Sequence, residues 1–411
     1  MLTVHANPLA EPGAGDAGGM TVYVREVAGA LAARGVEVDI FCRRDGTPTR
    51  AHPWPRAGVR VLPVDAGDPS LRKEEIPAHL PEFAANLAAQ AEAAGRGYDL
   101  VHSHYWLSGR VAAVLARRWG VPFVHTFHTL GRVKNQRLRD GDVLEPEIRL
   151  AGEARVIAEA DAIVASTPQE RESLLELYAA HPERIHLVPP GVDHARFRPG
   201  DRSEARAQLG LASRHVLLFV GRLQPLKAAD IAVRAIAHLI AWGRVAAGDI
   251  HLLVVGSPSG RTGEQEPERL RALARELGVE DAVDFLPAQP HERLPLLYQA
   301  ADVCLVPSYT ESFGLVALEA QACGVPVVAS SVGGLRSLVR HGQTGYLVEP
   351  GASGALAERA WRILADAPLA RSMAGLAICS SGDYAWERSA DSLLDVYGAT
   401  LAQAEGAGFG S

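Results

Sequence analysis

The sequence has few cysteines and no apolar run long enough to cross a membrane. The four cysteines, Cys42, Cys304, Cys323 and Cys379, are widely spaced and form no Cys-x-x-Cys pair, which predicts small buried thiols in a reducing compartment. No apolar stretch approaches the ~18 residues of a membrane helix, and no basic-then-apolar leader precedes a small-residue cleavage site. We therefore expect a cytoplasmic protein without a membrane partner.

The sequence also lacks an excess of positive charge. Lys and Arg number 41 against 48 Asp and Glu, which gives a formal net charge of −7. Because affinity for a phosphate backbone needs clustered cations, this balance argues against a general nucleic-acid-binding protein. Any anionic ligand must be bound by a few well-placed cations. With 47% hydrophobic and 22% charged residues, the composition is otherwise that of an ordinary globular protein.

Short apolar runs alternate with longer amphipathic stretches along almost the whole chain, a pattern typical of a parallel α/β sheet. The pattern runs once, is interrupted at Pro189–Gly200 by three prolines and two glycines without periodicity, and then starts again. The predicted strands lie at about 2–6, 36–42, 59–64, 98–102, 121–125, 162–166 and 185–188, and again at about 215–220, 250–255, 282–286, 302–306 and 325–329.

The sequence thus predicts two doubly wound, Rossmann-like α/β domains, residues 1–190 and 201–385, joined by a linker at 191–200. A length of 411 residues supports two cores rather than one. The amphipathic stretch 386–402 is predicted to be a helix that packs back on the first domain, and the tail from Ala404 is predicted to be disordered. Ligands of such folds bind at the carboxyl ends of the strands, so we expect a site in the cleft between the domains.

The densest motif runs from Glu311 to Glu319 (ESFGLVALE) and follows a predicted strand. Gly314 stands at the start of the next helix, where backbone N–H groups and the positive helix end suit an anion. Glu311 is placed to accept hydrogen bonds from sugar hydroxyls. Glu319, about two helical turns further on, is placed to reach a ribose diol. Taken alone, the same pair also fits one solvent-facing and one capping glutamate.

A second motif, Phe219 to Lys227 (FVGRLQPLK), runs from an apolar strand into Gly-Arg. Arg222 and Lys227 at the start of the next helix can straddle a pyrophosphate, which Arg can bind in bidentate fashion. A pair of solvated charges is the alternative for this motif by itself.

The N-terminal loop from Gly13 to Met20 (GAGDAGGM) matches Gly-x-Gly-x-x-Gly. The first glycine of a dinucleotide-binding fingerprint directly follows its strand, whereas here Pro8 to Pro12 intervene, so we do not expect nicotinamide binding. Glycines nevertheless allow a backbone to approach a ligand closely.

Histidines cluster after two predicted strands, as His102 and His104 and as His125 and His128. We expect most of them to be structural, with His128, at a predicted strand end, as the functional candidate.

No carboxylate or cysteine completes a metal-ligand set with these histidines at a recognisable spacing. The Asp-Gly-Asp sequence at 140–142 has no adjacent strand. We therefore predict neither a metal nor another cofactor, with Arg222 and Lys227 supplying the positive charge.

These motifs together resemble glycosyltransferase family 4, a family of retaining enzymes with the GT-B fold, in which two Rossmann-like domains face each other across a cleft. The resemblance extends from about His5 to Tyr397 and is strongest to the mycothiol-pathway members. It is carried by Pro8-Leu9, GDAGGM at 15–20, VEVD at 36–39, KEE at 73–75, HSHYWLSG at 102–109, VKN at 133–135 and VGRLQP at 220–225.

The resemblance implies a nucleotide-sugar donor, with N-acetylglucosamine moved from a UDP carrier to inositol 3-phosphate. It implies metal-independent catalysis by Arg222, Lys227, Glu311 and His128 with retention of the α configuration. The donor site would comprise Gly18, Gly19, Arg222, Lys227, Glu311, Phe313, Gly314, Leu315 and Glu319. The acceptor site would comprise Met20, Thr21, Lys73, Tyr105, Thr129 and Arg149. The last four would hold the acceptor phosphate, because buried cations without a counter-charge would be costly around a neutral polyol.

Two positions depart from the family pattern. Thr21 replaces an asparagine of the acceptor loop, and Gln289 replaces an arginine near the nucleotide base. A related glycosyltransferase of a specialised, antibiotic-type pathway, acting on an aminocyclitol, thiol or sugar phosphate, therefore remains an alternative. So does a sugar-nucleotide epimerase or binding protein without transfer activity. The partners expected are the small-molecule donor and acceptor and a second copy of the chain in a homodimer.

Overall fold

The computed structural model describes residues 1–10, 18–46, 57–138, 143–259 and 265–408. In the first half the strands are β1 (Val38–Arg43), β2 (Val59–Val64), β3 (Val101–His104), β4 (Phe123–Thr126), β5 (Ala162–Ala165) and β6 (Ile185–Leu187). The helices are α1 (Gly19–Ala32), α2 (Leu80–Ala93), α3 (Tyr105–Trp119), α4 (Gly131–Asn135), α5 (Glu147–Glu159) and α6 (Pro168–Tyr178).

In the second half the strands are β7 (His215–Val220), β8 (Ile250–Val255), β9 (Val283–Leu286), β10 (Val303–Val306), β11 (Val327–Ser330) and β12 (Gly345–Val348). The helices are α7 (Arg202–Leu209), α8 (Ala229–Ala241), α9 (Glu266–Glu276), α10 (Leu294–Ala300), α11 (Leu315–Ala322), α12 (Leu335–Leu338), α13 (Ser353–Ala365), α14 (Ala367–Ser381) and α15 (Trp386–Gly408). Short 3₁₀ turns connect several of these elements.

Both halves build parallel strands in the order 3-2-1-4-5-6 when the chain start at Leu2 is counted as the first strand of the first half, which has one further strand at its edge. The second sheet runs β12-β11-β10-β7-β8-β9. In the first half, β2-β1 and β3-β4-β5-β6 are joined by the chain start, since Leu2 bridges both Phe41 of β1 and Ser103 of β3. In each half, successive strands are therefore added first on one side of a central strand and then on the other. This arrangement leaves a crevice at the carboxyl ends of the strands.

The strands are apolar on both faces, as a parallel sheet covered by helices requires. Along β7, Leu217 and Phe219 belong to one buried cluster, whereas Val216 and Leu218 belong to the cluster on the opposite face. In the first half, Ile163 of β5 points into one core and its neighbours Ala162 and Val164 into the other. This period-2 alternation explains why the sequence reads as unbroken apolar runs.

Helix α15 crosses from the second half back to the first. Val192 and Ala385 pair at the crossing point. Beyond it, the Trp386 ring meets the edge of Tyr23 of α1 at 5.8 Å, Arg34 forms an ion pair with Asp391, and the Tyr397 hydroxyl contacts His102. The helix is thus packed on the first half.

Some elements differ from the predictions. The expected strand at 2–6 is reduced to the bridge at Leu2, because the chain turns at once and the Thr3 hydroxyl donates to the Ala6 carbonyl. The tail expected to be disordered from Ala404 is helical through Gly408. Helices α4, α7, α12 and α14 and strand β12 were not predicted. Among the described residues, no single helix has the length and hydropathy of a membrane span, although α13 and α14 meet those criteria as a pair bent by 102°.

Candidate active site between the two halves

The loops after β7 and β10 bring Arg222, Lys227 and Glu311 into the cleft. Lys227 Nζ donates to Glu311 Oε2 at 2.6 Å, and both side chains are partly exposed. Arg222 forms no hydrogen bond or ion pair within the described part of the chain. The site thus presents one unpaired guanidinium and one ammonium whose charge is balanced by a neighbouring carboxylate.

The glycines at the start of α1 lie directly against these donor-side residues. A Cβ added at Gly18 would lie 3.6 Å from Arg222 Nε, and one added at Gly19 would lie 3.4 Å from Leu315 Cδ1. The first half therefore approaches the predicted donor residues through the glycine backbone, and Leu315 also packs against a core of the first half. The remainder of that loop, residues 11–17, lies outside the described residues.

The loop before α11 is held in a tight, glycine-dependent conformation. Gly314, which begins the helix, has φ +106°, a left-handed value that other residues rarely adopt. Behind it, a Cβ on Gly333 would lie 1.8 Å from the Glu311 carbonyl oxygen, and the Gly334 N–H donates to that same oxygen at 3.0 Å. The backbone of Glu311 is thus fixed by two glycines that the sequence analysis did not single out.

Glu319 is buried rather than solvent-facing, and its carboxylate is already engaged. The Tyr298 hydroxyl donates to Oε2 at 2.8 Å, and His291 Nε2 lies 3.0 Å from Oε1. Each oxygen keeps a further lone pair for a ligand hydroxyl. Phe313, two residues after Glu311, is buried with its ring at 5.9 Å from Tyr384.

The structure brings Lys73, Tyr105, Thr129 and Arg149 together from four distant stretches of the first half. Lys73 Nζ lies 5.3 Å from the centre of the Tyr105 ring, and the Arg149 guanidinium carbon lies 5.1 Å from it. Arg149 Nη2 donates to the Thr129 hydroxyl at 3.0 Å. Two cations and two hydroxyls therefore form one cluster, made of the four residues that the family resemblance assigned to the acceptor phosphate.

The cations of this cluster are not without counter-charges, contrary to the argument made from the sequence. Arg149 Nε pairs with Glu153 at 2.7 Å, and its Nη1 pairs with Glu145 at 2.8 Å. Both carboxylates lie four residues from Arg149 on or beside α5, so they share its helix face. Burial of Arg149 alone therefore does not demand a phosphate.

Lys134 is a third cation that the sequence analysis did not assign. Its Nζ lies 2.9 Å from Glu145 Oε1, so Glu145 bridges Lys134 and Arg149. Burial lowers the pKa of Lys134 to about 8, the nearby Arg149 adds to the shift, and Glu145 offsets only part of it. Burial opposes ionisation of Glu145 too, but Arg149 and Lys134 outweigh it and lower that pKa to about 2. Counting Lys73 as well, three cations face two carboxylates, which leaves the cluster one positive charge in excess.

His5 connects the acceptor-side cluster to the donor-side residues. Its ring packs against that of Tyr105, with the ring centres 4.3 Å apart and the planes tilted by 45°. The pKa of His5 is held well below its ordinary value, first by burial and then by the positive charges of Lys73, Arg149 and Arg222. His5 is therefore close enough to these cations for their charges to disfavour its protonation. His5 began the stretch of family resemblance, yet the sequence analysis gave it no role.

His128 lies at the carboxyl end of β4 with φ +61°, a left-handed conformation. Burial lowers the pKa of its imidazole to about 3, so the ring is neutral at physiological pH. Its Nε2 lies 3.1 Å from His104 Nδ1, and its ring meets the edge of Tyr23 at 5.0 Å. The ring therefore has a fixed orientation at the edge of the cleft.

The other histidines are tied into the first core. His102 contacts Tyr397 and Thr126 at 2.6 and 2.8 Å, and His125 contacts Ser103 at 2.7 Å. No group of three His, Cys, Asp or Glu side chains within the described ranges is placed to hold a metal ion. Residues 140–142 lie outside those ranges.

The two positions that depart from the family pattern differ in their surroundings. Thr21 is buried in the first turn of α1, and its hydroxyl has no hydrogen-bond partner among the residues described. Met20 beside it packs against both cores of the first half. Gln289 lies in the loop after β9, where its amide donates to the Pro287 carbonyl at 2.9 Å.

Comparison with known proteins gives concordant results for both halves. Residues 18–191 match the family described as "Glycosyl transferase 4-like domain", and residues 201–377 match "Glycosyl transferases group 1". Sucrose-phosphate synthase from Thermosynechococcus elongatus superposes with a TM-score of 0.88 at 35% identity, covering 98% of each chain. HepE from Anabaena, solved with UDP and glucose, gives a TM-score of 0.75 at 20% identity, covering 97% of this chain and all of the other.

The fold is therefore that of a GT-B glycosyltransferase. A curated relative, the D-inositol 3-phosphate glycosyltransferase of Actinosynnema mirum, is 50% identical over 401 residues, which span 97% of this chain and 96% of the relative. The protein of that name from Nocardia farcinica is 49% identical over 99% of this chain and 90% of its own length. The chain belongs to this family of glycosyltransferases, so it is an enzyme, and the alternative of an epimerase or binding protein is excluded.

Proposed function

We propose that this enzyme transfers N-acetylglucosamine from a UDP carrier to the hydroxyl of an inositol phosphate, as a step of mycothiol biosynthesis. The observation that carries the proposal is the cluster of Lys73, Tyr105, Thr129 and Arg149, joined by Lys134 and facing Arg222 across His5. Its net positive charge and several N–H and O–H donors suit a dianionic group. The names of the relatives cited above support inositol 3-phosphate as the acceptor.

The donor side suits a nucleoside diphosphate sugar. Arg222 and Lys227 flank the diphosphate, the N-terminus of α11 at Gly314 and Leu315 faces it, and Gly18 and Gly19 allow the N-terminal loop to cover it. Glu319 accepts from the ribose, and Phe313 supports the loop. HepE, which has the same fold, was solved with UDP and with UDP-glucose, which supports a uridine nucleotide here.

We propose a front-face reaction with retention of the α configuration. The bond between the sugar C1 and the diphosphate oxygen breaks, the acceptor oxygen bonds to C1 on the same face, and the departing diphosphate oxygen accepts the acceptor's proton. Arg222 and Lys227 stabilise the negative charge that develops on that oxygen, so no metal is required for the chemistry. The neutral imidazole of His128 and the carboxylate of Glu311 bind the hydroxyls of the sugar being transferred. Closure of the cleft excludes water that would hydrolyse the donor.

In this proposal residues 1–190 bind the acceptor, residues 201–385 bind the donor, and residues 191–200 link them, with α15 returning to the first domain. A cytoplasmic location and a homodimer remain predictions. Within the described part of the chain the buried hydroxyl of Thr21 has no hydrogen-bond partner. This favours one alternative, an acceptor from a specialised pathway, because the asparagine of the family pattern would present a different hydrogen-bonding group there.

The proposal is tested by incubating the enzyme with UDP-N-acetylglucosamine and a panel of acceptors while UDP release is followed. The panel contains inositol 3-phosphate, free inositol, an aminocyclitol and a small thiol. We expect rapid release only with inositol phosphate, a product α-linked by NMR, and undiminished activity in the presence of a chelator. Fast release with the aminocyclitol or the thiol would instead establish the specialised acceptor, and strict dependence on added Mg²⁺ would overturn the metal-free mechanism.

A further inference from the structure

The carboxylate of Glu319 belongs to a buried chain of contacts that ends in the linker between the two domains. Glu319, Tyr298 and His291 are all less than one-tenth exposed. Tyr298 and His291 each contact one carboxylate oxygen of Glu319. The other ring nitrogen of His291, Nδ1, lies 2.7 Å from Nη1 of Arg196 in the linker.

The Arg196 contact fixes the protonation of His291. A guanidinium only donates, so Nδ1 of His291 must accept and carries no proton. The proton of the neutral ring then resides on Nε2, which donates to Glu319. Asp193, whose carboxylate lies 3.8 Å from Arg196 Nε, supplies the counter-charge of the arginine. The linker arginine thus sets the tautomer that donates to Glu319.

Packing ties the same stretch of linker to the same side chains. The ring of Phe197, which is almost completely buried, lies 5.1 Å from the ring of His291 and 5.9 Å from that of Tyr298. A Cβ on Gly200 would approach the Gln299 side chain to 2.5 Å, so the end of the linker lies directly on α10. A shift of the linker would therefore displace His291 and Tyr298 as well.

We infer that Arg196 and His291 are positioning residues for the nucleotide donor, which they affect by orienting Glu319 and by coupling it to the interdomain linker. The inference rests on the proposed function, in which Glu319 accepts from the donor's ribose. Neither residue touches the donor; both act through the Glu319 carboxylate. Domain closure, which pivots at the linker, and donor binding are thereby linked through one hydrogen-bonded chain.

The test is the dissociation constant of UDP, measured by calorimetry, for Arg196→Ala and for the control Arg198→Ala. Arg198 is two residues away and exposed, and its side chain forms no hydrogen bond or ion pair within the described residues. We expect Arg196→Ala to weaken UDP binding about tenfold, the effect of losing one charge-assisted hydrogen bond. Arg198→Ala should match the parent, and Arg196→Lys, which keeps a cationic donor, should recover most of the loss.

The same UDP titration in a Glu319→Gln enzyme, with and without Arg196→Ala, completes a double-mutant cycle. If Arg196 acts through Glu319, Arg196→Ala should weaken UDP binding no further in that background. Equal dissociation constants for Arg196→Ala and Arg198→Ala would overturn the inference, as would an undiminished effect of Arg196→Ala in the Glu319→Gln enzyme. A lowered melting temperature with unchanged UDP binding would show a merely structural role and overturn it as well. A parent enzyme that binds UDP but transfers no sugar would refute the proposed function while leaving this test decisive.

Discussion

Two aromatic side chains at neighbouring strand ends hold backbone angles that such residues rarely adopt. Tyr105 after β3 has φ +71° and His128 after β4 has φ +61°. Each left-handed residue of this kind costs about 1–3 kcal/mol, and such strain concentrates at ligand sites. Here both rings meet the cleft, Tyr105 between Lys73 and Arg149 and His128 beside His104. The strain is therefore found where the proposed acceptor and donor sugar meet.

The pairing of Lys227 with Glu311 predicts that their substitutions are not additive. In Lys227→Ala the carboxylate of Glu311 is left without its cation and faces the donor diphosphate. Removal of both side chains also removes this repulsion. We expect Lys227→Ala to weaken UDP binding more than Lys227→Ala/Glu311→Ala does, by at least about threefold, within the usual range of coupling between contacting residues. Calorimetric titration with UDP measures this, and strictly additive losses would show that the two groups do not interact in solution.

Arg222 has no competing partner among the described residues, so its charge is fully available to the leaving group. Arg222→Ala should lower kcat by about 10²–10³-fold, the usual cost of one preorganised charge contact. Arg214→Ala is the matched control, since Arg214 is an exposed arginine at the opposite end of β7. Steady-state kinetics of UDP release measure kcat for both variants. Turnover of Arg222→Ala within a few-fold of the control would remove Arg222 from the catalytic assignment.

The shifted pKa of Lys134, about 8, predicts a pH dependence of acceptor binding. Lys134 is protonated below that pH and helps to attract a phosphate; above it the ammonium loses its proton and the attraction is lost. The KM for the phosphorylated acceptor should therefore rise between about pH 7.5 and 9, with little change in the KM for the donor. Lys134→Gln should have a raised acceptor KM that is flat over this range. A parent KM that does not change with pH would show that Lys134 does not contribute.

At the scale of elements, the loop after β11 determines the shape of the donor site. Gly333→Ala would place a Cβ against the Glu311 carbonyl, so the loop that carries Glu311 must move. We expect a loss of about 1–3 kcal/mol, typical of overpacking, seen as a lower melting temperature together with weaker UDP binding. Gly375→Ala is the control, because Gly375 lies inside α14 with nothing near its Cβ position. A Gly333→Ala enzyme indistinguishable from this control would contradict the packing argument.

The strands and most helices could be predicted from the sequence because buried parallel strands are continuous apolar runs. β7 and β8, for example, have their predicted bounds. β12 was missed because it begins with glycine, which is unfavourable in strands and shortens its apolar run to three residues. α14 was missed although Asp366 caps its first turn and a proline follows. Its apolar pattern is weak, since most of its side chains remain at least partly exposed.

Prediction of the site from the sequence is also limited to features that lie in local motifs. Arg222, Lys227, Glu311 and Tyr105 lie in local motifs at strand ends, which a sequence displays directly. The side chains around these residues cannot be identified from local motifs. Lys134 comes near Lys73 and Arg149 only through tertiary folding, and His291 contacts Glu319 from 28 residues away. Tertiary packing therefore decides which charges are paired, and the counter-charges of Arg149 could not be assigned from the motifs alone.

At the scale of the whole molecule, the two halves meet through few direct contacts beside the cleft. Ser337 donates to Gln169 at 2.9 Å, and the Gly18 and Gly19 backbone lies against Arg222 and Leu315. The Thr167 hydroxyl also donates to the Ser312 carbonyl at 3.5 Å, and Leu315 packs against a core of the first half. Helix α15 and the linker connect the two halves as well. Interdomain contacts of this kind permit opening and closing, which a transferase needs in order to admit two substrates and then exclude water.

The central claim is that the cleft selects a phosphorylated acceptor, and its most direct measurement is the ratio of kcat/KM for inositol 3-phosphate to that for free inositol. We predict a ratio of at least about 10², equivalent to one or two charge-assisted contacts to the phosphate. Lys73→Ala should reduce the ratio at least tenfold while leaving slow hydrolysis of the donor unchanged. Equal kcat/KM values for the two acceptors in the parent enzyme would contradict the account.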